Sequence, residues 1–149
     1  MWQPCAMDAD VEARVRESFG RQAFMATLGA ELVHVGDGEV DISLPFSERL
    51  VQQDGFLHAG VVAGATDSAC GYAALTRMDA GAEVLTVEFK LNLLAPAAGE
   101  RLVARGRVVR SGRTLTVCRG DAVSVSEGRE KHVATMTATL IAVTRRDDA

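Results

Sequence analysis

Two hydrophobic periods run through this chain, and the changes between them mark its elements. Over residues 10–25, Val11, Val15, Phe19 and Ala23 recur every four positions among Arg and Glu residues. That spacing predicts a short amphipathic N-terminal helix. Glu31 to Val35 is apolar-rich, and Val40, Ile42 and Leu44 alternate with Asp41 and Ser43. Gly36-Asp37-Gly38 lies between them as a turn signal, so the pair reads as a hairpin. Pro45 ends it, and a polar loop runs to Asp54 or Gly55.

The next segment, LHAGVVAGATDSACGYAALTRM from Leu57 to Met78, has neither a polar face nor a run of β-branched residues. It is rich in Ala and Gly and apolar nearly all round, which predicts a buried central helix that other backbone approaches closely. Twenty helical residues span ~30 Å, so long strands are needed to wrap it. The remainder supplies them. Leu85, Val87, Phe89, Leu91 and Leu93 alternate with Thr86, Glu88, Lys90 and Asn92, which places the two sets on opposite faces. Leu102 to Val109 follows, with Arg101, Arg105 and Arg107 on one parity. Ser111-Gly112 reads as a two-residue turn. Leu115 to Val125 and Val133 to Val143 complete the set, with Glu127-Gly128 turning between them. Helix, two strands, long helix and four strands indicate an α+β fold with an antiparallel sheet of about six strands.

Composition narrows the picture. The 149 residues suit one domain over 1–149, with its helix at about 10–25 and its core at about 30–143. With 48% hydrophobic and 24% charged residues the chain can build a core, and disorder is excluded as its main state. The net charge of -4 gives no basic stripe for nucleic acid. Cys5, Cys70 and Cys118 show no metal-type spacing, so they read as free thiols in a reducing compartment. The acidic N-terminus lacks a signal-peptide core, and His58 and Asp67 interrupt the most apolar stretch, so neither secretion nor a membrane span is expected. The expected location is cytoplasmic.

The chemistry-bearing residues cluster around the long helix. Gln52-Gln53-Asp54-Gly55-Phe56-Leu57-His58-Ala59-Gly60 leads into it, and Asp67 stands nine positions after His58. Together with LTVEFKLNLLAPAAGE and VVRSGRTLTV, this resembles the hotdog-fold acyl-CoA thioesterases, in particular the phenylacetate-pathway type and its medium- and long-chain relatives. The similarity runs from about Ala30 to Val143. There the pattern is an Asn or Gln, then Gly-x-x-His-Gly-Gly, then an acidic residue. Here Ala59 replaces the first Gly after the His, and Gln52 stands where many relatives carry Asn. The resemblance implies a curved sheet wrapped round the helix, hydrolysis of acyl-CoA to acid and CoA, and no metal or cofactor. It also implies a homodimer, alone or paired as a dimer of dimers.

Thioester hydrolysis needs a group that activates water or attacks carbon, and donors for the developing oxyanion. Asp67 is the candidate for the first. A lone Asp in an apolar helix is more often a structural ion-pair or interface residue, and the family spacing reverses that preference. The amides of Ala59 and Gly60, at the positive end of the helix, are candidates for the second. His58 would orient substrate or loop, or cap the helix, and the two roles are compatible. The resemblance places Thr86 where relatives hold the attacking water. By parity Thr86 lies opposite Leu85, Val87 and Phe89, so an ordinary strand Thr remains an equal reading. Arg110 and Arg113, flanking a turn, are candidates for the CoA phosphates or solvated turn charges. Cys70 and Cys118 read as packing residues.

Spacing sets one further condition. His58 and Asp67 lie ~13 Å apart along the helix axis, too far to serve one carbon from one chain. The thioesterase reading therefore requires a second chain, and the resemblance implies a dimer with antiparallel helices and two shared sites. The competing reading is a non-catalytic hotdog module that binds acyl-CoA as a ligand. A hotdog dehydratase ranks lower, because no His-then-Pro-Gly arrangement precedes the helix.

Overall fold

The computed structural model describes residues 7–144. Two short helices lead, α1 (Ala9–Gly20) and α2 (Ala23–Leu28). They are followed by β1 (Glu31–Gly36), β2 (Glu39–Pro45), a 3₁₀ turn (Glu48–Leu50) and the long helix α3 (Ala59–Leu75). β3 (Ala82–Leu93), β4 (Arg101–Ser111), β5 (Leu115–Ser126) and β6 (Arg129–Thr144) complete the chain. The strands form one antiparallel sheet in the order β1-β2-β4-β5-β6-β3, wrapped against α3. This is the α+β architecture expected from the element order.

The N-terminal region differs from expectation: the expected single helix is two. Arg21 caps α1, and Gln22 turns extended at φ -81 and ψ 96. The break lets each helix bury its own residues, Val15 from α1 and Met25 and Leu28 from α2. α1 is tied to α3 through Arg14, whose guanidinium donates to the carbonyls of Leu75 (2.6 Å), Met78 (3.0 Å) and Asp79 (2.7 Å). Those are carbonyls at and just beyond the end of α3, where a cation is favoured.

The small residues of α3 have a direct packing role. Gly106 of β4 pairs with Gly120 of β5. A Cβ on Gly106 would lie 2.2 Å from the Ala69 carbonyl oxygen, and one on Gly120 would lie 2.5 Å from the Thr66 methyl. The helix backbone therefore rests on the sheet where two glycines face it. Cys70 and Cys118 are buried free thiols in this contact, as expected of packing residues, and Cys5 lies outside the described residues. Burial pushes the Cys118 thiol up to about 12.

The Asp37-Gly38 and Glu127-Gly128 turns form as expected, the latter with both residues at positive φ (50° and 73°). The β4–β5 connection is longer than the expected two residues, running over 112–114. The largest departure is in β3. Its register against β6 shifts between Thr86 and Glu88, which leaves Val87 as the extra residue of a β-bulge. Thr86 therefore opposes buried Leu140, and Phe89, Leu91 and Leu93 oppose buried Ala138, Met136 and Ala134. Thr86 thus shares the helix-facing side with Phe89, Leu91 and Leu93. The strict alternation that put it on the opposite face is corrected by one inserted residue.

Candidate active site

The lead-in to α3 is held by its own side chains. Gln52 Oε1 accepts hydrogen bonds from the backbone N–H groups of Asp54 and Phe56, so its carbonyl shapes the turn and leaves the NH2 group as the free end. The Leu57 N–H donates to the Ala97 carbonyl at 2.9 Å, which fixes the loop against the segment after β3. His58 is the N-cap, with Nδ1 accepting from the Gly60 N–H at 2.8 Å. This corrects the expectation that Ala59 and Gly60 both present free amides. Gly60 is engaged by the cap, and among the described residues the Ala59 N–H has no acceptor.

Two turns along α3, Asp67 points towards β3. The Thr86 hydroxyl donates to Asp67 Oδ1 at 2.8 Å. The bulge at Val87 makes this contact possible, placing Thr86 beside Asp67 and not on the opposite face. Burial pushes the Asp67 carboxyl above the usual carboxylate range, and the Thr86 hydrogen bond opposes part of that rise. No cation pairs with Asp67 among the described salt bridges, so the structural ion-pair reading has no partner here.

The two groups open into different cavities. One, of about 400 Å³, lies at the start of α3 between Gln52, Phe56, Ala59, Val62, Leu93 and Leu94. The other, of about 470 Å³, lies beside Asp67 and Thr86, between α3, α1 and the start of β3. α3 and β3 run in opposite directions, so the two cavities sit at opposite ends of β3. That strand is a sheet edge, and it exposes Leu85 (57%), Val87 (54%), Phe89 (43%) and Leu93 (55%).

Arg110 and Arg113 are exposed at the β4–β5 tip and line neither cavity. The row Thr86–Leu140–Thr116–Ser111 across the sheet puts that tip at the same end as the Asp67 cavity. The sequence reading missed Ser18, Gln22, Ser68 and Tyr72, which line the cavity with Asp67. A signal existed for α3: Ser68 and Tyr72 are a polar pair at i, i+4 spacing in an otherwise apolar helix.

Comparison with known proteins assigns the class. Residues 54–131 match the thioesterase superfamily. A thioesterase family protein from Silicibacter pomeroyi is 51% identical, with a TM-score of 0.89 over 91% of this chain and 99% of that one. The PaaI protein from the phenylacetic acid degradation operon of E. coli shares the fold at 17% identity, with a TM-score of 0.83 over 93% of this chain and 96% of that one. A Saccharolobus solfataricus protein provisionally named an esterase is 33% identical over 90 residues, 60% of this chain and 64% of that protein. The chain belongs to the thioesterase superfamily and has its hotdog fold. Its enzyme class is that of the thioester hydrolases.

Proposed function

We propose that this chain is one hotdog domain that hydrolyses acyl-CoA to free acid and CoA, as a homodimer with two shared sites in the cytoplasm. The acyl group is of the medium- or long-chain or aryl type that the sequence resemblance implies. Among the described residues no helix is long and apolar enough to cross a membrane. One observation carries the reading. The two halves a thioesterase needs, an amide donor at a helix start and an aspartate held by a threonine, lie at opposite ends of one exposed edge strand. A two-fold pairing of β3 with its copy lays the start of one strand beside the end of the other. Asp67 of one chain then faces Gln52 and Ala59 of its partner.

In that arrangement the thioester oxygen accepts from the Ala59 N–H and the Gln52 amide. His58 holds the donors in place through its bond to Gly60. Water lies against Asp67 and the Thr86 hydroxyl oxygen. Asp67 takes a proton as the water oxygen attacks the carbonyl carbon, and negative charge grows on the carbonyl oxygen at the helix start. Collapse breaks the C–S bond, and the proton leaves with the CoA sulfur. Arg110 and Arg113 meet the CoA phosphates.

A thiol-release assay over an acyl-CoA panel tests this reading. Hydrolysis is expected from the wild-type chain and a loss of about 10²-fold or more in kcat from Asp67→Asn. An Asn variant near the wild-type rate removes Asp67 from the mechanism. Tight acyl-CoA binding without hydrolysis favours the ligand-binding module instead.

A further inference from the structure

The sheet has two edges, and they are built differently. β1 is short, shifts register between Leu32 and His34, and lies against α1. A short, bulged and covered strand gives a second chain little to pair with. β3 is twice as long, and every side chain from Leu85 to Lys90 is exposed, on both faces of the sheet. A copy of β3 could pair with it in several registers, and each sets a different distance between Asp67 of one chain and Ala59 of the other. The charges along β3 choose among them.

With both long helices on one side of a continuous sheet, residues opposite each other across the pair share a face. Phe89 and Leu91 oppose buried Ala138 and Met136 on the helix side, whereas Glu88 and Lys90 oppose Thr139 and Thr137 on the outer side. A two-fold axis must therefore pass through one residue position, which then meets its own copy. Through Glu88, two carboxylates meet. Through Lys90, two ammonium groups meet. Through Leu91, Lys90 meets Asn92 and Glu88 lies past the partner's Leu93. Through Phe89, Glu88 of each chain meets Lys90 of the other, and the two rings meet at the axis. Opposite charges facing each other across strands attract, and like charges repel.

Within one chain these two charges are unmatched. Elsewhere on the outer face Arg105 bridges Asp41 and Glu130, and Asp121 takes Arg119 and His132. Neither Glu88 nor Lys90 takes part in any described salt bridge. The Thr139 hydroxyl donates to Glu88 Oε1, which orients the carboxylate on the outer face.

We propose that two copies of this chain pair through β3 with the two-fold axis at Phe89, so that Glu88 of each faces Lys90 of the other. This rests on the shared-site reading above and gives it a register. Thr86 and Val87, at the bulge, come level with the partner's Leu91. The partner's Leu93, which lines the cavity at the start of α3, then lies two residues on, ~7 Å.

A cysteine scan reads the axis directly. Opposite Cα atoms lie ~5 Å apart, within disulfide reach, whereas a residue one position off the axis lies ~8 Å from its copy. Phe89→Cys, Lys90→Cys and Leu91→Cys are each made with Cys5→Ser, Cys70 and Cys118 being buried. Under mild oxidation Phe89→Cys should cross-link at least about tenfold faster than the other two. Charge reversal gives a second reading, by sedimentation equilibrium. Glu88→Lys sets cation against cation at both positions and should raise the dimer dissociation constant about tenfold or more at low salt. Adding Lys90→Glu to the same chain restores both pairs and should bring the constant back, with acyl-CoA hydrolysis recovered in dilute solution. A merely structural loss at residue 88 is not repaired in this way. Faster cross-linking through Lys90→Cys or Leu91→Cys overturns the register and leaves the dimer standing. So does a Glu88→Lys dimer as tight as wild type, or a double variant as weak as the single one. A wild-type chain that sediments as a monomer takes down the shared-site reading, and this register with it.

Discussion

Asp67 and Thr86 form a pair whose titration has a direction. Burial raises the Asp67 pKa and the hydrogen bond from Thr86 lowers it. A base must be ionised to work, so activity should fail on acidification at a higher pH than an ordinary carboxylate would set. Thr86→Val removes the bond that favours the charged form, and the acid limb of the kcat–pH profile should move further up. A limb that stays put separates the bond from the chemistry. The same shift bears on stability. The folded pKa lies above the unfolded one, so the native state binds the proton more tightly. That stabilisation is present in acid and lost as pH rises through the window between the two values. Asp67→Asn should therefore be more stable than wild type at neutral pH, by urea midpoint, with the difference closing in acid. His58 acts differently. Its Nδ1 caps α3, so His58→Ala should cost about 1 kcal/mol and leave measurable turnover at reduced kcat/KM, while His58→Asn retains the cap.

At the scale of elements, the bulge at Val87 shows what a pattern conceals. Alternation from Leu85 to Leu93 is unbroken in the sequence, because the extra residue is itself apolar. Nothing in the letters marks the slip, yet it turns Thr86 onto the face where Asp67 lies. The division of the N-terminal helix was hidden likewise, since Val15, Phe19 and Ala23 keep helical spacing across the break at Gln22. Local signals fared better where local physics decides. The glycine turns, the small-residue helix and the position of His58 ahead of Ala59 were all legible, because φ preference, close approach and capping act within a few residues. The Ser18–Tyr72 side of the cavity was not, since it depends on how α1 lies across α3. The Gly106–Gly120 contact gives the element-scale prediction. Gly106→Ala must push the Ala69 backbone away, and should destabilise the protein by about 1–3 kcal/mol, read from the urea midpoint. A neutral result would mean that α3 lifts from the sheet at little cost.

The whole molecule is where the shared-site reading is most exposed to test. β3 ends the sheet with an unpaired ladder and several exposed apolar side chains, an arrangement that proteins ordinarily cover. The proposed pairing with a second β3 would cover the edge and also bring the two proposed half-sites together. Two defective chains should then repair each other. Asp67→Asn removes the proposed base. Ala59→Pro removes the amide donor at the first helical position, where proline is tolerated and Gly60 remains engaged by His58. In a heterodimer one site carries both defects and the other carries neither. Random assortment makes half of all dimers mixed, so about a quarter of wild-type activity should return if the sites act independently. The two variants are unfolded and refolded together, because a stable dimer exchanges subunits slowly, and heterodimers are verified by differential tagging. Each variant refolded alone should stay inactive. Verified heterodimers without activity would mean that each chain completes its own site, although Asp67 and Ala59 stand eight residues, ~12 Å, apart along α3.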